Sequence, residues 1–147
     1  MTRPVSIVVA ADWAPIRALE PVFRRAPEAV YGELLPVLRA VDLRIVNCEC
    51  ALTAARRPVW KSGAVFKGLP HHVKGLTAVP FEVATLANNH VFDYGLEGFR
   101  ETLGVLRRAG LRTVGAGLTL DEAARPLELT VAGTPVTVLA FGEGEDL

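Results

Sequence analysis

Residues 81–110 read FEVATLANNHVFDYGLEGFRETLGVLRRAG, and the fold turns on how this stretch divides. Residues 81–86 form a short, mostly apolar run of strand length, the pattern of a strand buried in a sheet. Ala87-Asn88-Asn89-His90 follows with turn chemistry. Residues 95–109 then carry Phe99, Leu103 and Leu106 at helical spacing, with Asp93 or Tyr94 near the start and Gly110 where a helix stop is expected. Strand, polar turn and helix make one β-α unit.

The same unit recurs outward in both directions. Upstream, residues 4–11 are apolar and β-branched, the pattern of a buried parallel strand, and end at Asp12, with Pro15 favouring a turn soon after. Residues 28–41 have amphipathic helical spacing, with Leu34, Leu35, Leu38 and Val41 on one stripe, and residues 43–48 read as a second strand. Residues 53–68, rich in Arg, Pro, Lys and Gly, predict a loop, and Pro70 opens a short helix reaching residue 76. Downstream come a short strand at 111–114, a short helix at 121–124, and a hairpin of 127–131 with 135–141 around Ala132-Gly133-Thr134. Alternation of this kind predicts an α/β layered fold with a largely parallel sheet and a C-terminal β-hairpin.

The chain has 147 residues, the size of a single domain, and half of them are hydrophobic. Its 16 basic and 16 acidic residues cancel, and no one-sided run of charge appears, which argues against a nucleic-acid or acidic-lipid partner. Residues 5–11 are too short an apolar run for a secretory signal, and nothing reaches the length of a membrane span, so a cytoplasmic protein is expected. Cys48 and Cys50, on one face of a strand, would lie too far apart for an unstrained disulfide and read as buried, reduced thiols. Gly115-Ala116-Gly117 lacks the third glycine of a dinucleotide fingerprint, Leu120 standing there, and reads as a glycine-rich turn. Oligomeric state is open.

In open α/β sheets, ligands gather at the carboxyl ends of the strands. Three predicted strands end in polar groups: Asp12 after the first, Asn47 and Glu49 at the second, Asn88-Asn89-His90 after the third. In an extended strand Asn47 and Glu49 face one side while Cys48 and Cys50 face the other. Taken singly, each group reads first as a cap, a turn or a structural residue. Together they form an oxygen-and-imidazole donor set suited to Mn, Fe or Zn.

Residues 42–53, 66–70, 86–98 and 114–117, in that order, resemble the CapA family, named for poly-γ-glutamate capsule synthesis and related to the calcineurin-like metallophosphoesterases. The Asn-Asn-His-x-x-Asp-x-Gly block at 88–95 is the most specific part. The resemblance implies a metallophosphoesterase-like fold, of which residues 1–147 correspond to roughly the N-terminal half, and a site hydrolysing a phosphate ester with two divalent metals. Asp12 would be the first metal ligand, Glu49 the bridging carboxylate with Asn47 beside it, and Asn89 the amide ligand of the second metal. His90 would be a proton donor or phosphate-oxygen stabiliser. Asn88 and Asp93 would support the turn from behind, Asp93 also capping the following helix. Arg17 and Lys67 are candidates for holding a small anionic or polymeric substrate. Ala11 stands where the family usually has glycine. His71 and His72 match no family motif and read as surface residues, so Asp12, Glu49 and Asn89 alone would leave two metals short of ligands. A non-catalytic binding or assembly module of the same fold is the alternative, and a plain nucleotide binder a third reading.

Overall fold

Four parallel strands in the order β1-β2-β5-β6 form the central sheet of a computed structural model that describes residues 3–143. In chain order the elements are β1 (Ile7–Trp13), α1 (Glu20–Arg25), α2 (Leu35–Ala40), β2 (Leu43–Cys48), β3 (Ala51–Leu52), β4 (Lys67–Gly68), α3 (Lys74–Ala78), β5 (Val83–Thr85), α4 (Gly95–Arg108), β6 (Arg112–Val114), α5 (Leu120–Ala123), β7 (Leu127–Val131) and β8 (Thr134–Val138). The expected α/β architecture with a parallel sheet and a C-terminal antiparallel hairpin is what the chain adopts.

The inner strands β2 and β5 feed two apolar layers, because successive side chains point to opposite faces. Val46, Cys48 and Ala84 join Phe23, Leu76, Phe99 and Leu106 beneath the helices. Leu43, Ile45, Val83 and Val114 face the hairpin residues Val131 and Val138 on the other side. Helix α4 is the best-formed, burying Phe99, Thr102, Val105 and Leu106, and it ends at Gly110, whose φ of +85° suits a left-handed stop.

Several expectations are corrected. Strand β1 runs to Trp13, so Asp12 lies inside it rather than after it. Nor is β1 buried on both faces: it is an edge strand, and Val9 is 73 % exposed. Its two apolar faces suggested a buried strand, but the hairpin layer does not cover it. The pairing of β1 with β2 shifts between Val9, opposite Ile45, and Asp12, opposite Asn47, so β1 spends one extra residue there.

The helix expected over 28–41 is a 3₁₀ segment, Pro27–Leu34, followed by the short α2. Gly32 breaks it with φ +48°, and Pro36 brings no N–H to the following turn. Leu34, expected on the buried stripe, is exposed and only Leu38 is buried. Helix α1, with buried Phe23, forms where only a turn was foreseen. The loop expected at 53–68 contains β4, which pairs in parallel with β3.

His72, read as a surface residue, is buried against Phe23, whereas His71 is exposed. Its Nδ1 accepts from the Leu69 N–H at 3.0 Å, closing the turn that starts at Pro70. Gly115 has φ +84°, and a side chain there would collide with Ala87 and Ala140. The glycine-rich turn is thus a point of close backbone approach. Both cysteines are buried and unbridged.

Candidate functional site at the strand ends

Strands β1, β2 and β5 are neighbours, and the residues at or just beyond their carboxyl ends meet in one hydrogen-bonded group. Asn47 is its centre. Its Nδ2 donates to Asp12 Oδ1 at 2.7 Å, and its Oδ1 accepts from Asn88 Nδ2 at 3.0 Å and Thr85 Oγ1 at 3.3 Å. Asn88 also donates to the Cys48 carbonyl at 3.1 Å and accepts from the His90 N–H at 3.1 Å. One amide therefore ties the turn after β5 to the end of β2.

The extra residue in β1 puts Asp12 opposite Asn47 and Trp13 opposite Cys48. Partners in a parallel pair share a face, so the carboxylate lies with the polar group and the indole goes into the core, where Trp13 packs edge-on against Phe23. Glu49 follows immediately, its N–H donating to the Trp13 carbonyl at 3.1 Å.

Burial, and then the negative charge of Asp12, push the Glu49 carboxyl above its usual range, while His90 acts in the opposite direction. A carboxyl raised on folding loses stability as pH climbs from its unfolded value, ~4.3, through its folded one. Glu49→Gln is therefore expected to raise the melting temperature of the metal-free protein at pH 7, with the gain fading toward pH 4. Thermal melts at the two pH values check this, and an unchanged or lower value at pH 7 would contradict it.

His90 is held from two sides. Its Nδ1 lies 2.7 Å from Asp93 Oδ2, and the Phe66 ring stacks on it at 3.9 Å with a 15° interplanar angle. Asp93 is fully buried and also accepts from Lys61 Nζ at 2.8 Å and from the Phe66 N–H. It does not cap α4, as had been expected: the residue at that cap is Tyr94, and no side chain closes the first turn. The Asp93 carboxylate is instead spent on the imidazole and on the loop before β4.

Lys61 and Phe66 were not foreseen as site residues. Lys61 Nζ donates also to the Asn89 carbonyl at 2.8 Å, and the Val59 N–H to the Asp93 carbonyl at 2.9 Å. Residues 59–66 thus form a strap across the Asn-Asn-His turn. Such contacts span 24 to 34 residues and leave no local periodicity to read; the lone signal was Phe66 within a block that resembled the family.

Of the remaining candidates, Asn89 is exposed on the same turn. Arg17 is exposed with a left-handed φ of 55°, and Lys67 donates to the Ala55 carbonyl at 2.9 Å beneath the Tyr94 ring. Among the described residues neither cation forms an ion pair with Asp12 or Glu49. No group of three or more His, Cys, Asp or Glu side chains placed to hold a metal occurs among the described residues. Asp12 and Glu49, with the amide of Asn89 nearby in sequence to His90, are hard oxygen donors of the kind a divalent cation takes, and their mutual repulsion is what a cation would relieve.

The fold and this edge define an α/β protein with a carboxylate–amide–imidazole site at the ends of parallel strands. The family model described as bacterial capsule synthesis protein PGA_cap matches residues 6–146, and the chain belongs to that family. It is 36 % identical over 123 residues to a Mycobacterium tuberculosis protein described as a probable polyglutamine synthesis accessory protein, covering 79 % of this chain and 32 % of that relative. It is 28 % identical over 120 residues to the PGA biosynthesis protein CapA of Bacillus subtilis, covering 80 % of this chain and 32 % of the relative. The capsule biosynthesis protein CapA of Bacillus anthracis is 36 % identical over 69 residues, 47 % of this chain and 17 % of the relative. The chain spans about a third of the length of the first two. Among the described residues, no helix is long and apolar enough to cross a membrane.

Proposed function

We propose that this chain acts in the metabolism of poly-γ-glutamate or a similar capsule or envelope polymer, as a metal-dependent phosphoester hydrolase. Family membership supports the polymer, and the placement of Asp12 and Glu49 beside a fixed imidazole supports the chemistry. Asp12, Glu49 and Asn89 would hold the metal; two ions would need donors beyond these. A divalent cation, Mn, Fe or Zn, would supply polarisation of a phosphoryl oxygen and a bound water acidic enough to ionise near neutral pH.

The chain's own residues do the rest. Asn47 and Asn88 fix Asp12 and the turn by five side-chain hydrogen bonds to each other and to their neighbours. Asp93 engages Nδ1 of His90, so that Nε2 is left to hand a proton to the departing oxygen. Phe66 covers one ring face and restricts its tilt. The observation that carries the reading is the buried Asp93–His90 pair beside two carboxylates: a purely structural strand end has no need of an oriented imidazole.

The test is hydrolysis of an aryl phosphate with added Mn, measured together with bound metal in the purified protein. Activity that falls with Asp12→Ala and Asn89→Ala is the expected result. A protein that takes up no divalent metal and turns over no phosphate ester would leave the alternative, a binding or assembly module of the same fold.

A further inference from the structure

The strap carries a surface that the hydrolytic site does not use. Residues 54–65 contain Arg56, Arg57 and Lys61 and no acidic residue. Lys61 is committed to Asp93 and Asn89. Arg56 and Arg57 are exposed, and among the described residues neither has an ion-pair partner. Trp60 has 101 % of its reference surface exposed, while Val59 and Lys61 on either side of it are pinned to the turn that bears Asn89 and His90. A fully solvated indole on an anchored backbone contributes nothing to folding, since no apolar area is removed from water. The strap's other end is fastened as well: Glu101 accepts from the Ala54 N–H at 2.9 Å and from the Thr53 hydroxyl.

We propose that Arg56, Arg57 and Trp60 form a docking surface for an extended carboxylate polymer, a γ-linked glutamate chain, at the rim of the strand-end site. This rests on the poly-γ-glutamate part of the function proposed above. Guanidinium groups match carboxylates two hydrogen bonds at a time. The indole offers a flat apolar face for the methylene and amide portions of such a chain. Because the strap is pre-anchored, little ordering entropy is lost when the polymer binds. Nucleic acid is the poorer match, because a single exposed ring on the strap gives no ladder on which successive bases could stack.

The chain has two tryptophans, and only Trp60 is open to solvent, so acrylamide quenching reads this surface directly. Titrating the full protein with poly-γ-glutamate at low salt should shift emission to the blue and cut the quenching constant at least about threefold. The Arg56→Ala/Arg57→Ala variant should raise the midpoint roughly tenfold, and Trp60→Phe should abolish the optical signal. Free glutamate at the same carboxylate concentration should have no effect. Unchanged quenching at saturating polymer overturns the proposal. So does an equal response to RNA or to anionic vesicles, and so does a Trp60 already shielded before polymer is added. Aryl-phosphate hydrolysis is followed in the same samples. Polymer protection without hydrolysis counts against the phosphoesterase reading alone; polymer that co-sediments with the protein without protecting Trp60 counts against this surface alone, and no polymer bound at all counts against the poly-γ-glutamate reading and this surface together.

Discussion

Asp93→Ala is expected to lower the free energy of unfolding by about 3–5 kcal/mol, the range for removing one partner of a buried ion pair. Three donors converge on this carboxylate: Lys61 Nζ, the Phe66 N–H and Nδ1 of His90. Its side chain is 0 % exposed and that of Lys61 only 9 %, so the ammonium would be left without its counter-charge and nearly without water. The loss should appear in urea unfolding followed by circular dichroism. Proteolysis within residues 54–65 should quicken in the folded protein, because the strap loses its main anchor. Asp93→Asn keeps an acceptor oxygen and should cost less. If Asp93→Ala lost under about 1 kcal/mol, a net contribution no larger than an ordinary hydrogen bond, the buried pair could not be what fastens the strap.

His90→Ala is expected to reduce turnover of the phosphoester roughly 10²–10⁴-fold, the usual worth of a positioned general acid. Stability should fall much less than for Asp93→Ala, because Asp93 keeps Lys61 and the Phe66 N–H. The two variants therefore separate chemistry from scaffold. Phe66→Ala should sit between them, lowering turnover through a looser ring while leaving the Asp93 contacts in place. Equal turnover in His90→Ala and the parent would remove the imidazole from the reaction. A metal-content measurement on each variant guards against a loss caused by an empty site.

Much of the architecture could be read from local pattern. Helix α4 was legible because Phe99, Leu103 and Leu106 recur at helical spacing and Gly110 closes the element. The hairpin was legible because its strands flank Ala132-Gly133-Thr134, where the turn residues Ala132 and Gly133 both take positive φ. The strand ends that gather Asp12, Asn47 and Asn88 followed from adjacency in a parallel sheet. What local pattern misjudged was tertiary. Apolar residues on both faces of β1 looked like a buried strand, yet one face is open. Leu34 and Leu35 have helical spacing, yet Gly32 and Pro36 interrupt the backbone between Pro27 and Ala40. His72 looked superficial because its burial comes from Phe23 in a helix 49 residues away. Lys61 reaches Asp93 over 32 residues, and no short-range signal encodes that.

The bulge that takes up the extra residue of β1 makes a local irregularity of the backbone a determinant of this site. Between Val9 and Asp12 the strand takes three steps while its neighbour takes two from Ile45 to Asn47. Were β1 to pair regularly from Val9 onward, with no bulge, the parity of everything beyond it would be inverted. Asp12 would then stand opposite Cys48, a position with no exposed surface, and the indole of Trp13 would be turned outward. The polar edge would be lost although every residue in it was retained. A chain one residue shorter between Val9 and Asp12 would reach the same pairing with no bulge at all, so the bulge is what lets a segment of this length deliver its aspartate to the polar edge.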